Sequence, residues 1–83
     1  MEAKIKQITS LMDLVINDTS IPKNVRRAVN EAKEKLESED EIVTKASAAI
    51  YKLDEVSNDI NMPMHARTHI WTLLSALETI KAE

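Results

Sequence analysis

Apolar residues recur along this chain at helical spacing, and no stretch alternates with period two. Ile5, Ile8, Leu11, Met12 and Val15 fall at i, i+3 and i+4 intervals and predict a first helix that ends near Asn17. Asparagine is expected to close it in the left-handed conformation, a position glycine usually fills. Ser20 and Pro22 announce a second helix, since a serine can accept from a first-turn N–H and proline lacks only a donor not needed there. Its stripe is Val25, Ala28, Val29, Ala32 and Leu36. Ser38 and Glu41 have capping-box spacing and predict a third helix with Ile42, Ala46, Ala49, Ile50, Leu53 and Val56 inward, ending near Asn58. A fourth opens at Asn61-Met62-Pro63 and carries Ala66, Ile70, Leu73, Leu74, Leu77 and Ile80. Short connections favour antiparallel neighbours, so the expected fold is an all-α, four-helix antiparallel domain.

The chain also matches itself when shifted by forty-one residues. Asn17-Asp18-Thr19-Ser20-Ile21-Pro22 lies over Asn58-Asp59-Ile60-Asn61-Met62-Pro63, giving Asn-Asp-x-x-(Ile/Met)-Pro twice. Outward from the turn, Lys4 meets Lys45, Asp13 meets Asp54, Arg26 meets Arg67, and Leu36 meets Leu77. A six-residue turn in register with two stripes indicates two copies of one hairpin, about residues 2–38 and 39–83 of a single domain. Each second helix begins Pro-x-x-(Val/Ala)-Arg, which resembles the start of a HEAT second helix, and the period suits such a unit. Stacked hairpins complete each other's core and arrays normally want about three, so two suggest self-association.

Composition narrows the function classes. Eighty-three residues make one domain with a modest core, and the chain has no cysteine. That excludes disulfides, thiolate metal sites and a cysteine nucleophile, and it suits a reducing compartment. No apolar run approaches a membrane span and the N-terminus has no apolar signal core, so a cytoplasmic location without membrane contact is expected. The absence of glycine excludes P-loops and Rossmann phosphate turns. A net charge of −3 argues against a dedicated nucleic-acid binder.

The segment from Leu53 through Asp59, Met62-Pro63-Met64-His65-Ala66-Arg67-Thr68 and Ile70-Trp71 resembles the archaeal uncharacterised protein family 0147. Pro22-Lys23-Asn24-Val25-Arg26-Arg27-Ala28 fits the same family, and the resemblance covers nearly the whole chain. It implies a small helical protein of the archaeal cytoplasm and carries no activity, cofactor or catalytic residue with it. Proline is the commoner residue expected where Ile60 stands.

The candidate sites each have a structural alternative. Asn17, Asp18 and Pro22, with Asn58, Asp59 and Pro63, look like turn residues, with the aspartates complementing the following helix starts. Arg26 and Arg67, about a turn into those helices, are expected to complete two equivalent Asp–Arg locks. The other possibility, an acidic ligand site, is weakened by the presence of both copies. His65 and His69, at i and i+4, could share a metal, with a third ligand from Asp54, Glu55 or Asp59. Zinc sites take three or four protein ligands, so no metal or other cofactor is expected. Trp71 projects beyond the apolar stripe with Arg67 one turn before it, where guanidinium stacking on the indole is available. These two are the interface candidates, tryptophan and arginine being enriched at interface hot spots; the alternative is a tryptophan folded over the core rim. Leu14 and Ile16 also lie off their helix's main stripe.

Lys23, Arg26, Arg27, Lys33 and Lys35 gather on the second helix, but Arg27–Glu31 and Glu31–Lys35 spacing suggests a solvated, ion-paired face. No base is placed beside a nucleophile by sequence proximity, so catalysis is not expected. The function stays unknown at this level. The leading expectation is a non-catalytic module that binds itself or another protein. An RNA- or ribosome-associated accessory protein is the first alternative, and a metal-dependent enzyme centred on His65 and His69 is the second.

Overall fold

The computed structural model describes residues 2–82. Four helices follow one another: α1 (Glu2–Ile16), α2 (Lys23–Leu36), α3 (Ile42–Ser57) and α4 (Met64–Ala82). Each packs on its chain neighbours, and α1 also packs on α4. The short connections alternate the chain direction, so the helices form a closed antiparallel ring. Closure changes the argument from repeat number. The apolar faces of both hairpins are covered within one chain, so a missing third unit is no reason for self-association.

The stripes read from the sequence are the core. Met12 and Val15 of α1, Leu36 of α2, Leu53 of α3 and Leu77 of α4 are fully enclosed, and no described polar or charged residue is buried. Ile16 packs against the core in spite of its off-stripe position, whereas Leu14 stays exposed. Four alanines, Ala28, Ala32, Ala46 and Ala49, are buried on the facing helices α2 and α3. Their small side chains let the two backbones approach closely.

The helix ends differ from the expected caps. No described residue has a positive φ. Asn58 closes α3 at φ −102° and ψ 11°, so neither asparagine takes the left-handed conformation. The residue preceding α2 is Pro22, without a side-chain cap, and α3 begins after Glu41 in the same way. Ser38 therefore caps nothing, and its Oγ is buried without a hydrogen-bond partner. Exposed Glu39, Asp40 and Glu41 instead place negative charge before the α3 amide end, where the helix dipole favours it. Lys45 Nζ donates to Ser38 O at 3.4 Å, tying this connection to α3.

Candidate functional site

The two Asn-Asp turns have the same internal wiring. The amides of Asp18 and Asp59 donate to the carbonyls of Val15 and Val56, at 3.2 and 3.1 Å. Ile21 N donates to Asp18 O and Met62 N to Asp59 O, at 3.1 and 3.2 Å. The Ser20 and Asn61 amides each donate to an aspartate Oδ1 at 2.9 Å, making a pair of Asx turns. Ile21 and Met62, the variable apolar position of the motif, are buried and plug the core at this end. The sequence showed that position as a pattern, but its task emerges only from the packing. A chain without glycine can turn here because the aspartate carboxylates take over amides that would otherwise be left open.

The expected Asp–Arg locks are made differently. Arg26 Nε donates to the carbonyl of Ile21 at 2.9 Å, and an Arg67 terminal nitrogen donates to the carbonyl of Asp59 at 3.2 Å. Neither guanidinium forms an ion pair with its own turn's carboxylate; each serves a turn carbonyl instead. The copies also differ in one atom: Arg67 Nε is buried without a partner.

Across the hairpins, each aspartate receives a residue from the other copy. Asn24 Nδ2 of α2 donates to Asp59 Oδ2 at 2.9 Å. Its counterpart His65, opening α4, sets Nε2 at 3.1 Å from Ser20 Oγ and 3.5 Å from Asp18 Oδ2. Ser20 Oγ itself donates to Asp18 Oδ1 at 2.6 Å. Ser20's hydroxyl and amide hold the Asp18 carboxyl below the ordinary carboxylate range, with a smaller push from His65 and His69. Asn24, then the Asn61 amide and the charge of Arg67, do the same for Asp59. These contacts join residues 35 and 45 positions apart, so sequence reading could not pair them.

Folding thus brings a serine, a histidine and an aspartate together, which linear proximity did not suggest. The order is not that of a nucleophilic triad. There the carboxylate orients the imidazole through one nitrogen while the hydroxyl bonds the other. Here Ser20 and Asp18 approach the same nitrogen, and the hydroxyl proton already goes to a carboxylate of low basicity. The cluster is a hydrogen-bond relay between hairpins.

The remaining candidates separate. His65 is exposed and bound to the first turn, and no three described His, Asp or Glu residues are grouped to hold a metal. Trp71 is 55% exposed, so it is not folded over the core rim. Arg67 faces its own turn, and no stacking contact with Trp71 forms. Glu31 pairs with Lys52 of α3 at 3.4 Å, not with Arg27 or Lys35 along its own helix. Lys33 pairs with Asp13 of α1 at 2.7 Å, a bond that raises the lysine's pKa. The basic residues of α2 are therefore partly spent on joining helices.

One surface feature distinguishes the copies. Among the described residues the exposed large apolar side chains are Leu14, Val43, Tyr51, Ile60, Met64 and Trp71. All but Leu14 belong to the second hairpin. Forty-one residues earlier, the first hairpin has Glu2, Ser10, Thr19, Lys23 and Asn30 at the matching positions. Met64 and Trp71 stand seven residues apart on one side of α4.

Fold and surface together define a small duplicated helical-hairpin protein with polar turns at one pole and an apolar second hairpin. No described helix is long and apolar enough to cross a membrane. The chain belongs to the Uncharacterised protein family (UPF0147), whose model matches residues 1–80. It is 44% identical over 81 residues to the UPF0147 protein MJ1419 of Methanocaldococcus jannaschii, covering 96% of this chain and 87% of that one. The UPF0147 protein of Archaeoglobus fulgidus is 44% identical over 79 residues, covering 95% and 91%. A crystal structure of the unknown function protein MMP1188 superimposes with a TM-score of 0.87 at 43% identity, covering 92% of this chain and 88% of that one. Another, of a UPF0147 protein from Thermoplasma acidophilum, gives 0.88 at 34% identity, covering 95% and 94%. These names attach no activity to the family.

Proposed function

We propose that this chain is a non-catalytic interaction module of the cytoplasm that binds itself or another protein through the second hairpin. The observation that carries the reading is the asymmetry between copies. One hairpin scaffold has polar residues at five outer positions, and the other has Val43, Tyr51, Ile60, Met64 and Trp71 there. A stable fold does not need those side chains outside, since the first hairpin manages without them. Exposed aromatic and large apolar groups are what a partner surface desolvates. Trp71 is the anchor, while Arg67 holds the turn behind it.

The test combines solution mass by light scattering with affinity capture from a native archaeal lysate. A species heavier than the single chain, or a protein captured specifically, supports the module. A strict monomer that captures nothing overturns it. Captured RNA or ribosomal subunits whose recovery fades with salt would replace it with the nucleic-acid reading.

A further inference from the structure

Met64, Thr68, Trp71, Ser75, Glu78 and Ala82 are all exposed, and their alternating spacing of four and three residues lines them along one face of α4. That stripe is about 27 Å long. Glu78 is the one charge among the six. Forty-one residues earlier, the same stripe of the first hairpin reads Lys23, Arg27, Asn30, Glu34 and Glu37, four charges in five positions. The hydroxyls of α4 also make its outer side less polar than its sequence. Thr68 donates to Met64 O at 3.1 Å, and Thr72 and Thr79 donate to Thr68 O and Ser75 O at 3.0 Å. Those protons are spent inside the helix, which lowers the cost of taking this side out of water.

We propose, resting on the interaction reading of the second hairpin, that its partner is a second copy of this chain, docked α4 against α4 in antiparallel order about a two-fold axis. The order of side chains selects this arrangement. Run backwards against itself, the stripe sets Met64 opposite Ala82, Trp71 opposite Ser75 and Glu78 opposite Thr68, so each larger group meets a smaller one. A parallel pairing in register would set Trp71 on Trp71 and Glu78 on Glu78, like charge on like. Charge agrees with the register that size selects. Arg67, Trp71 and Glu78, at i, i+4 and i+11, share one flank of α4, and the two-fold brings like flanks together. Glu78 of one copy then lies level with position 68 of the other, one residue from Arg67. Both charges are available for that pair. Arg67 bonds only the Asp59 carbonyl, and neither it nor Glu78 has an ion partner among the described residues.

Sedimentation equilibrium of the intact chain over a range of concentrations should show a two-chain species. Glu78→Arg places like charges at both ends of the pair and should weaken it by about tenfold. Glu34→Arg, the same change of charge on the exposed side of α2, should leave it within about twofold. Equal weakening by the two variants overturns the register. The chain has no cysteine, so disulfide trapping reads the orientation. A mixture of Thr68→Cys and Glu78→Cys chains should cross-link well beyond either variant alone. Thr68→Cys linking readily to itself overturns the antiparallel order, in which those two positions stand about 15 Å apart. A monomer that captures another protein, with capture lost in Trp71→Asn, keeps the interaction module and overturns the second copy as its partner. A monomer that captures nothing overturns both.

Discussion

Asp18 and Asp59 each take their own turn's amide on the carboxyl group; Asp18 adds the Ser20 hydroxyl and faces His65 Nε2 at 3.5 Å, while Asp59 adds the Asn24 amide and the nearby charge of Arg67. Donors to the anion favour the charged form, so both acids are stronger in the folded chain than in the unfolded one. A carboxyl depressed by folding adds stability that is present above its unfolded value, near about 4, and is lost as pH falls through the folded one. The urea midpoint of the wild type should fall between about pH 5 and pH 2 more steeply than that of the Asp18→Asn, Asp59→Asn double variant. Parallel slopes would show that these carboxyls do not anchor the turns. The arginines make a second comparison. Arg26 Nε donates to Ile21 O, whereas the same atom of Arg67 is buried without a partner. Removing either arginine loses its bond to a turn carbonyl, and removing Arg67 also relieves the penalty of its orphaned Nε. Arg26→Met should therefore lower the free energy of unfolding by about 1 kcal/mol more than Arg67→Met, measured by denaturant titration.

At the scale of elements, the four helices and their buried stripes were legible because burial sets the residue class at every third or fourth position, a local rule. The caps were not. Ser38 and Glu41 have the spacing of a capping box, but the helix begins after Glu41 and leaves Ser38 Oγ buried and unpaired. Asn17 and Asn58 end their helices without a left-handed residue, because the following aspartate and the chain's next amides complete the turn. Which of several local hydrogen bonds wins depends on how the neighbouring helix meets the turn, and that is tertiary information. Ser38→Ala removes an unsatisfied hydroxyl and should leave thermal stability unchanged or raised. A clear drop in melting temperature would mean that the hydroxyl has a partner in solution. Ala49 is buried on α3, which faces α2 and its own buried alanines. Ala49→Leu should cost about 1–3 kcal/mol through overpacking, read as a lower denaturation midpoint with an unchanged slope.

For the whole molecule, closure of the ring by α1 against α4 separates two matters that the repeat had joined. The buried stripes are covered within one chain, so an association would use the outer surface, and there the copies diverge. The sequence displayed Trp71 as an off-stripe residue opposite Asn30, but the wider contrast became visible only with exposure assigned to each position. Ile50 and Leu74 lie on the predicted stripes and pack against the core, but so does the off-stripe Ile16, whereas Val43 and Ile60 stay exposed, so apolar character alone does not sort them. The duplication supplies its own control for the interaction reading. Tyr51→Ser, Ile60→Thr and Trp71→Asn install the residue that the first hairpin carries at each position. All three sites are exposed, and surface changes of this kind usually move stability by no more than about 0.5 kcal/mol each. The triple variant should keep its helical content by circular dichroism and melt within a few degrees of wild type. Over the same concentration range it should lose self-association, or the captured partner, by at least about tenfold, the equivalent of 1.4 kcal/mol of contact energy. If the variant folds and still associates like wild type, the apolar second hairpin is not the binding surface.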